Sequence, residues 1–310
     1  MRTIAINQYG VVNQFEEMNL EVPRINDNEV LVEIHAFSIN PMDVAGRQGN
    51  LGTPFTDYWS FPLVLGWDFA GIVKEVGHKV TGFKIGDKVF GAIASAHDAK
   101  NGTYGEYVAA GTEELALIPE GLTFDEAAAL PIGGITAYYG MTHSLNVQAG
   151  QKILIQGGSG GVGLMAVQIA KAFGAHVAAT SSANHVDLLK KVGVDEVINY
   201  HQTKPADVIH GYDAVFDTVG DIAGGLKVLK ETGKLVTIAG QPTPEQSKQA
   251  TFQFTHGTGT DLTALGKLVV EGKVKQVVTS MAFSTENVIK AHESIEGHHT
   301  TGKIVIHVKD

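Results

Sequence analysis

A glycine run with a strand before it and a helix after it constrains this chain more than any other feature. In Ile153-Leu-Ile-Gln-Gly157-Gly158-Ser159-Gly160-Gly161-Val162-Gly163 a short apolar strand, Lys152–Gln156, ends in glycines, and Val162–Phe173 continues as an apolar helix. Glycine permits positive φ and carries no Cβ to hold a ligand away. Such a loop brings unpaired amides, and the positive end of the helix behind them, against a pyrophosphate. A glycine-rich turn without a ligand is the plain alternative, and a glycine motif alone separates the two poorly. The downstream pattern of the chain favours the ligand.

Beyond the loop, strands and helices alternate: His176–Thr180, His185–Val192, Glu196–Asn199, Asp213–Asp217 and Lys234–Ala239 come in order. Alternation of this kind implies right-handed crossovers and a doubly wound parallel sheet, a Rossmann-type domain over residues 124–257. Its opening helix, Phe124–Leu130, is announced by Thr123 with Glu126 three residues on, a capping-box pattern.

The rest reads differently. Glu29–Ile39, Gly71–Val76 and Val89–Ala94 are β-rich runs punctuated by glycine and proline. After a helix at Asp261–Glu271, the tail returns to strand-like runs, Val277–Phe283 and Lys303–Val308. Residues 1–123 and 258–310 are therefore expected to form one β domain, interrupted by the Rossmann domain. A length of 310 residues suits two domains. The fold class expected is α/β.

Charge and composition exclude some functions. With 33 acidic against 23 basic residues, the net charge of −10 repels phosphate backbones and anionic lipid, so nucleic acid and membrane are not expected partners. The chain has no cysteine, which removes thiolate metal sites and a cysteine nucleophile. No basic segment leads into an apolar run at the start, and a cytoplasmic location is expected.

The end of the second strand bears on which dinucleotide is bound. NAD-specific sites place a carboxylate there for the ribose hydroxyls, whereas this chain has Ala178, Ala179 and Thr180, then Ser181 and Ser182. Without a carboxylate to repel a 2′-phosphate, NADPH is expected over NADH. Tyr200, past the third strand, either stacks on adenine or caps the core.

Several separated motifs then resemble one family. They are Ser38-Ile-Asn40-Pro-Met-Asp43, Pro62-Leu-Val-Leu-Gly66-Trp67-Asp68-Phe-Ala70-Gly71, Gly82-Phe-Lys-Ile-Gly86-Asp87-Lys-Val89 and Gly102-Thr-Tyr-Gly105-Glu106-Tyr107. Ala128-Ala-Leu-Pro131, Thr136-Ala137, the glycine loop and Gly302-Lys303-Ile304-Val305 complete the set. In that order they resemble the zinc-independent, zeta-crystallin-like quinone oxidoreductases of the medium-chain dehydrogenase/reductase superfamily. The resemblance implies a GroES-like β domain beside the Rossmann domain, a site in the cleft between them, NADPH-dependent hydride transfer to quinones or related conjugated carbonyls, and a homodimer.

The resemblance places Asn40, Thr136 and Gly240 at the cofactor, and the residues themselves supply the rest of the set. Asn40 and Asp43 are the catalytic candidates, although Asn40-Pro41 also reads as a turn-forming pair. Tyr58, Trp59 and Trp67 are candidates for an aromatic substrate wall, with core packing the alternative for Trp67. The expected cofactor contacts are Asn40, Thr136, Gly157, Ser159, Gly160, Gly161, Val162, Gly163, Thr180, Ser181, Ser182, Tyr200, Val219, Ala239, Gly240 and Lys303. Relatives in this branch often carry a tyrosine soon after the aspartate, where this chain has Ala45 and Gly46.

Zinc-dependent relatives carry cysteine where Met42 or Asp43 falls, and Leu-Gly-His-Glu where this chain reads Leu65-Gly66-Trp67-Asp68. An indole ligates nothing, so no metal is expected. Without a Lewis acid for an alkoxide, acceptors whose conjugation spreads the arriving charge are favoured. An alkenal or enone double-bond reductase, and a non-catalytic, crystallin-like NADPH-binding protein, remain the alternatives.

Overall fold

The computed structural model describes residues 1–52, 59–93, 101–255, 258–298 and 300–310. They form two units, Met1–Ile132 with His256–Val270 and Gln276–Asp310, and Gly133–Thr255 with Glu271–Lys275. The first runs β1 (Arg2–Ile6), β2 (Phe15–Asn19), β3 (Glu29–Ile39), helix α1 (Pro41–Gln48), β4 (Leu63–Val64), β5 (Asp68–Val76), β6 (Lys88–Ala92), β7 (Tyr107–Gly111), β8 (Leu115–Leu117) and helix α2 (Phe124–Ala128). Helix α3 (Pro131–Tyr139) carries the chain into the second unit.

Strand β3 organises the first unit because it is buried from Val30 to its end. A strand with no solvent face needs neighbours on both edges and cover on both sides. One edge pairs with β5 along its length; the other is shared, with β7 taking Glu29 to Glu33 and the C-terminal β16 (Lys303–His307) taking Ala36 to Ile39. The tail thus returns to the β domain, antiparallel to the strand that precedes Asn40.

In the second unit the order is β9 (Lys152–Gln156), α4 (Gly161–Ala172), β10 (His176–Ser181), α5 (Val186–Lys191), β11 (Glu196–Asn199), β12 (Tyr212–Asp217), α6 (Ile222–Leu226), β13 (Leu229–Thr237) and β14 (Ala250–Phe252). All pairs are parallel, in the spatial order β11-β10-β9-β12-β13-β14. The chain leaves β9 toward one edge and β12 toward the other. A crevice at the strands' carboxyl ends, where the direction reverses, is where such sheets bind ligands. Residues after β14 form α7 (Gly259–Val270), β15 (Val278–Ala282) and α8 (Thr285–Glu296) before β16.

Domain boundaries differ from the expected ones in an instructive way. Helix α2 was expected to open the Rossmann domain, but it packs on β3 and β5 and so belongs to the first unit. Thr123 and Glu126 do cap it: Thr123 Oγ1 accepts the Glu126 amide at 3.2 Å, and the Thr123 amide donates to Glu126 Oε2 at 2.9 Å. Of the expected run Val89–Ala94, the strand occupies Lys88–Ala92, and Ala94 lies outside the described residues. Among the described residues no helix is long and apolar enough to cross a membrane.

Helix α2 is also tied to β16 through a titratable group. His307 Nδ1 lies 2.9 Å from Asp125 Oδ1 and its Nε2 3.2 Å from Asp310 Oδ1, while Ser280 Oγ donates to Asp125 Oδ2 at 2.5 Å. The hydrogen bond to Asp125 raises the His307 pKa above its ordinary 6.5, despite partial burial. A folded-state pKa above the unfolded one stabilises below pH 6.5, and that contribution is lost as pH rises through the folded value. Solvent screens the pair, so its loss costs at most about 1 kcal/mol. Thermal unfolding of His307→Gln should match wild type more closely at pH 8.5 than at pH 6, where it should fall below it; equal deficits at both pH values refute the linkage.

Candidate functional site

The glycine loop is held from both neighbouring strands. The Gly157 amide donates to Thr180 Oγ1 at 2.9 Å and the Gly158 amide to Thr180 O at 2.9 Å, from the end of β10. From the β12 side, Thr218 Oγ1 donates to Gln156 O at 2.7 Å. Gly157 adopts φ +78°, and a Cβ there would lie 2.4 Å from Thr218 Oγ1. A Cβ on Gly163 would lie 2.1 Å from Gly157 O, so helix α4 approaches the loop as closely as backbone allows. The first-turn amides of α4 have no intrahelical acceptor, and the N-cap, Gly160, brings no side chain to cap them.

The opposite lip is organised by a residue that sequence reading passed over. Asp217, fully buried at the end of β12, accepts the Val219 and Gly220 amides on Oδ1 at 3.0 Å each and the Thr237 hydroxyl on Oδ2 at 2.9 Å. Thr237 Oγ1 in turn accepts the Ala239 amide at 3.2 Å. One carboxylate therefore fixes both Val219 and Ala239-Gly240. Gly240 stands at φ +123°, and a Cβ added there would meet nothing within 4 Å, so space remains open above it.

The residues at the end of β10 divide into inward and outward sets. Thr180 is buried, its hydroxyl accepting from the loop; Ser181 is buried, and its hydroxyl donates to Ser182 O at 3.0 Å. Both were expected to touch the cofactor directly, and the structure gives them the role of holding the loop and turn. Ser182 Oγ faces His185 Nδ1 at 3.0 Å. Tyr200 is 53% exposed beside His201, so it does not cap the core. Thr136, on α3, accepts Gln253 Nε2 on its carbonyl at 3.0 Å. Ser159, Gly160, Gly161 and Val162 are partly accessible around the loop.

These residues fit a nicotinamide dinucleotide: glycines where a Cβ would collide, uncapped helix amides for the pyrophosphate, and no carboxylate on the β10 turn. The loop Gly157–Gly163 would hold the phosphates, and Val219, Ala239 and Gly240 would border the far end. When bound, the reduced nicotinamide supplies a hydride.

The other chemistry lies in the first unit, in a buried polar cluster at the junction of β3, α1, β5 and β16. Lys303 is 5% exposed; its Nζ donates to Asn40 Oδ1 at 2.5 Å, and lies 3.3 Å from Asp68 Oδ2 and 3.4 Å from Ile39 O. Asp68 Oδ2 also accepts Ser38 Oγ at 2.5 Å and Asn40 Nδ2 at 2.9 Å, and its Oδ1 takes the Ile132 amide at 2.9 Å. The strand register explains the convergence: Ser38 and Asn40, two apart, share a face, Ser38 is paired with Asp68, and Ile304, beside Lys303, is paired with Ile39. Lys303 was expected to touch the cofactor. Its three donors are instead spent inside this cluster.

Asp43 sits beside it, fully buried on the first turn of α1. Its Oδ2 accepts the Asn40 amide, while Oδ1 has no partner among the described residues. Burial pushes its pKa well above the ordinary carboxyl value, a shift that the Asn40 amide opposes and the Asp68 charge reinforces. Asp43 holds the start of the helix through its bond from the Asn40 amide. At the helix's other end Arg47, also fully buried, donates to Gly10 O, pairs with Glu296 Oε1 at 2.5 Å and donates to His292 Nδ1 at 3.4 Å. His292 meets the Tyr104 hydroxyl at 2.9 Å, and burial together with Arg47 lowers its pKa to about 3, so it is neutral.

Trp67 is 1% exposed within the core of the first unit and offers a substrate no face, which corrects its assignment to a pocket wall. It is simply too deep. Trp59 is partly accessible with its ring 6.2 Å from that of Trp67, and Tyr58 lies outside the described residues. The donor set here does not fit a catalytic zinc: an indole that ligates nothing, a buried carboxyl already bonded to the Asn40 amide and an ammonium stand at and around the positions where zinc-dependent relatives place their ligands. Among the described residues no three His, Cys, Asp or Glu side chains converge on one point.

Comparisons with known proteins agree with this arrangement. Residues 26–154 match the alcohol dehydrogenase GroES-like domain and residues 192–306 the family described as zinc-binding dehydrogenase. The chain is 39% identical to the 2-methylene-furan-3-one reductase of Solanum lycopersicum, across 99% of this chain and 79% of that protein. It is 36% identical to the chloroplastic NADPH-dependent alkenal/one oxidoreductase of Arabidopsis thaliana, with the same coverage. Among solved structures, the quinone oxidoreductase from Coxiella burnetii superposes with a TM-score of 0.91 at 33% identity, over 100% of this chain and 99% of that one. The chain belongs to the quinone oxidoreductase-like family of medium-chain dehydrogenases/reductases and is a nicotinamide-dependent oxidoreductase.

Proposed function

We propose that the protein is an NADPH-dependent reductase that delivers hydride to conjugated carbonyls, quinones or α,β-unsaturated ketones and aldehydes, without zinc. The observation that carries this reading is the cluster of Asn40, Asp68 and Lys303. A fixed amide and ammonium stand beside Asp43 and Trp67, the positions where zinc-dependent relatives carry ligands, and hydrogen bonds of that strength suit an acceptor that delocalises its own developing charge. The β10 turn, free of carboxylate and bearing Ser182 and His185, supports NADPH over NADH.

Within this class, an enone or alkenal acceptor is favoured by the names of two relatives, which act on a 2-methylene-furan-3-one and on alkenals and enones. A quinone acceptor is favoured by the name of the superposed structure. Turnover of NADPH with a benzoquinone and with 3-penten-2-one, side by side after exhaustive dialysis against a chelator, separates them. The expected result is full activity after dialysis and at least tenfold preference for NADPH, about 1.4 kcal/mol of discrimination. Activity lost to chelation and restored by zinc overturns the metal-free reading; NADPH bound but oxidised with neither acceptor favours the non-catalytic binder.

A further inference from the structure

The second unit contains no arginine. The chain's guanidinium groups, Arg2, Arg24 and Arg47, all lie in the first unit. The residue type best suited to clamp a ribose 2′-phosphate with a permanent charge is therefore missing from the unit that would hold the dinucleotide.

At the end of β10 a hydroxyl and an imidazole stand instead. Ser182 and His185 are both partly accessible, with Ser182 Oγ 3.0 Å from His185 Nδ1. Their turn is tied to the glycine loop by the Gly158 amide on Thr180 O, and to the end of β11 by the Tyr200 amide on Ser181 O at 3.3 Å. Ser182 thus follows two residues after the strand's contact with the phosphate loop, within one unit.

A hydroxyl both donates and accepts, so the pair suits either state of the ring. A neutral imidazole with its lone pair on Nδ1 takes the Ser182 proton. An imidazolium carries a proton on each nitrogen. Its Nδ1–H donates to Ser182 Oγ, and the hydroxyl proton is left for another acceptor. Charging the ring therefore supplies two things that a phosphate dianion requires, a cation and a released O–H donor. As a residue type, histidine changes charge roughly between pH 5 and 8, whereas a phosphate monoester keeps its second negative charge above about pH 6.

We propose that NADPH binds with His185 protonated, the proton coming from solvent, so that pH sets the preference for NADPH over NADH. This rests on the NADPH-dependent reading above. Other titratable or charged groups stand on the neighbouring elements. Helix α5 carries Asp187, Lys190 and Lys191, and the glycine loop carries none. On β11, Glu196 is engaged by His176 at 2.7 Å and by the Tyr212 hydroxyl at 3.0 Å. Past β11 come Tyr200, which lies against the exposed His201, then Lys204 and Asp207. A lysine serving the phosphate would give a preference that pH leaves alone in this range, and His201 is the rival imidazole.

The test measures dissociation constants of NADPH and NADH by fluorescence at pH 6.5 and 8.5, because pH effects common to both coenzymes cancel in their ratio. NADPH should be favoured at least tenfold at pH 6.5, and that ratio should shrink by about tenfold or more at pH 8.5, one bound proton allowing at most tenfold per pH unit. Calorimetry at pH 7.5 in two buffers of different ionisation enthalpy should show net proton uptake with NADPH and none with NADH. His185→Gln should bring NADPH affinity at pH 6.5 down to about its wild-type strength at pH 8.5 and abolish the uptake. His185→Lys should hold the preference at both pH values, and His201→Gln should behave as wild type. A ratio equal at both pH values, a pH dependence that survives His185→Gln, or one lost in His201→Gln overturns the proposal and leaves the NADPH reading standing. Equal affinity for the two coenzymes at pH 6.5 defeats both. The wild-type ratio and proton uptake decide the matter even if a variant fails to fold.

Discussion

Gly163→Ala should weaken NADPH binding by about 100-fold or more, measured by fluorescence titration, while the first unit is untouched. The added methyl would lie 2.1 Å from Gly157 O and 3.0 Å from Gly158 Cα. Both are backbone atoms that no rotamer change can move. Relief to an ordinary contact distance requires helix α4 and the loop to part by more than about 1 Å. The amides that face the pyrophosphate are carried on those two segments, and misplacement of that size costs on the order of 10²-fold. Gly160→Ala is the control for crowding: its Cβ would meet only Gly157 O, at 3.6 Å, an ordinary contact. It should leave the unfolding temperature unchanged, whereas Gly163→Ala should lower it. A Gly163→Ala protein that binds NADPH as wild type does would show that close packing of helix and loop is not what builds the site.

How far this was legible in the sequence depends on the range of the forces involved. The strand Lys152–Gln156 and the helix after it could be read within one residue, because glycine conformation and apolar periodicity are local. Helix α1 was not read: Asn40, Pro41 and Asp43 are a local start signal, but the helix is only eight residues long and carries Gly46, and its far end is fixed by the buried Arg47 network with α8, 245 residues away at His292. The position of α2 failed differently. Its capping box is visible in Thr123 and Glu126, but which unit it packs on depends on the apolar faces of β3 and β5.

Site residues divide in the same way. The glycines carry their function in their own backbone, so a motif finds them. Asp217 and Thr237 act by bonding turns on adjacent strands, which only the register of β12 with β13 reveals. Trp67 shows the opposite error. An aromatic residue in place of a metal ligand suggests a pocket wall, yet the position is deep within the packed core, and an indole there fills volume. One sequence signal for the polar cluster was available and unused: Ser38 on β3 and Asn40, in extended backbone just past its end, are two apart, so two polar side chains share one face where the strand is otherwise buried. A buried strand does not carry two such groups without partners.

The strength of that partnership can be measured. Asp68→Ala removes the carboxylate that accepts from Ser38, Asn40, Lys303 and the Ile132 amide, and it leaves the Lys303 ammonium buried with only neutral acceptors. Breaking a buried pair from one side costs about 3–5 kcal/mol, most of it the uncompensated charge. Unfolding of the first unit by denaturant should shift by that amount. Adding Lys303→Met to Asp68→Ala should recover part of the loss, since no ion is then left without its partner. The two substitutions should therefore be less damaging together than their separate effects predict. If Asp68→Ala costs under about 1 kcal/mol, or if the double variant is as unstable as the two losses added, the cluster is not held by its charges. Asn40 would then owe its orientation to packing alone.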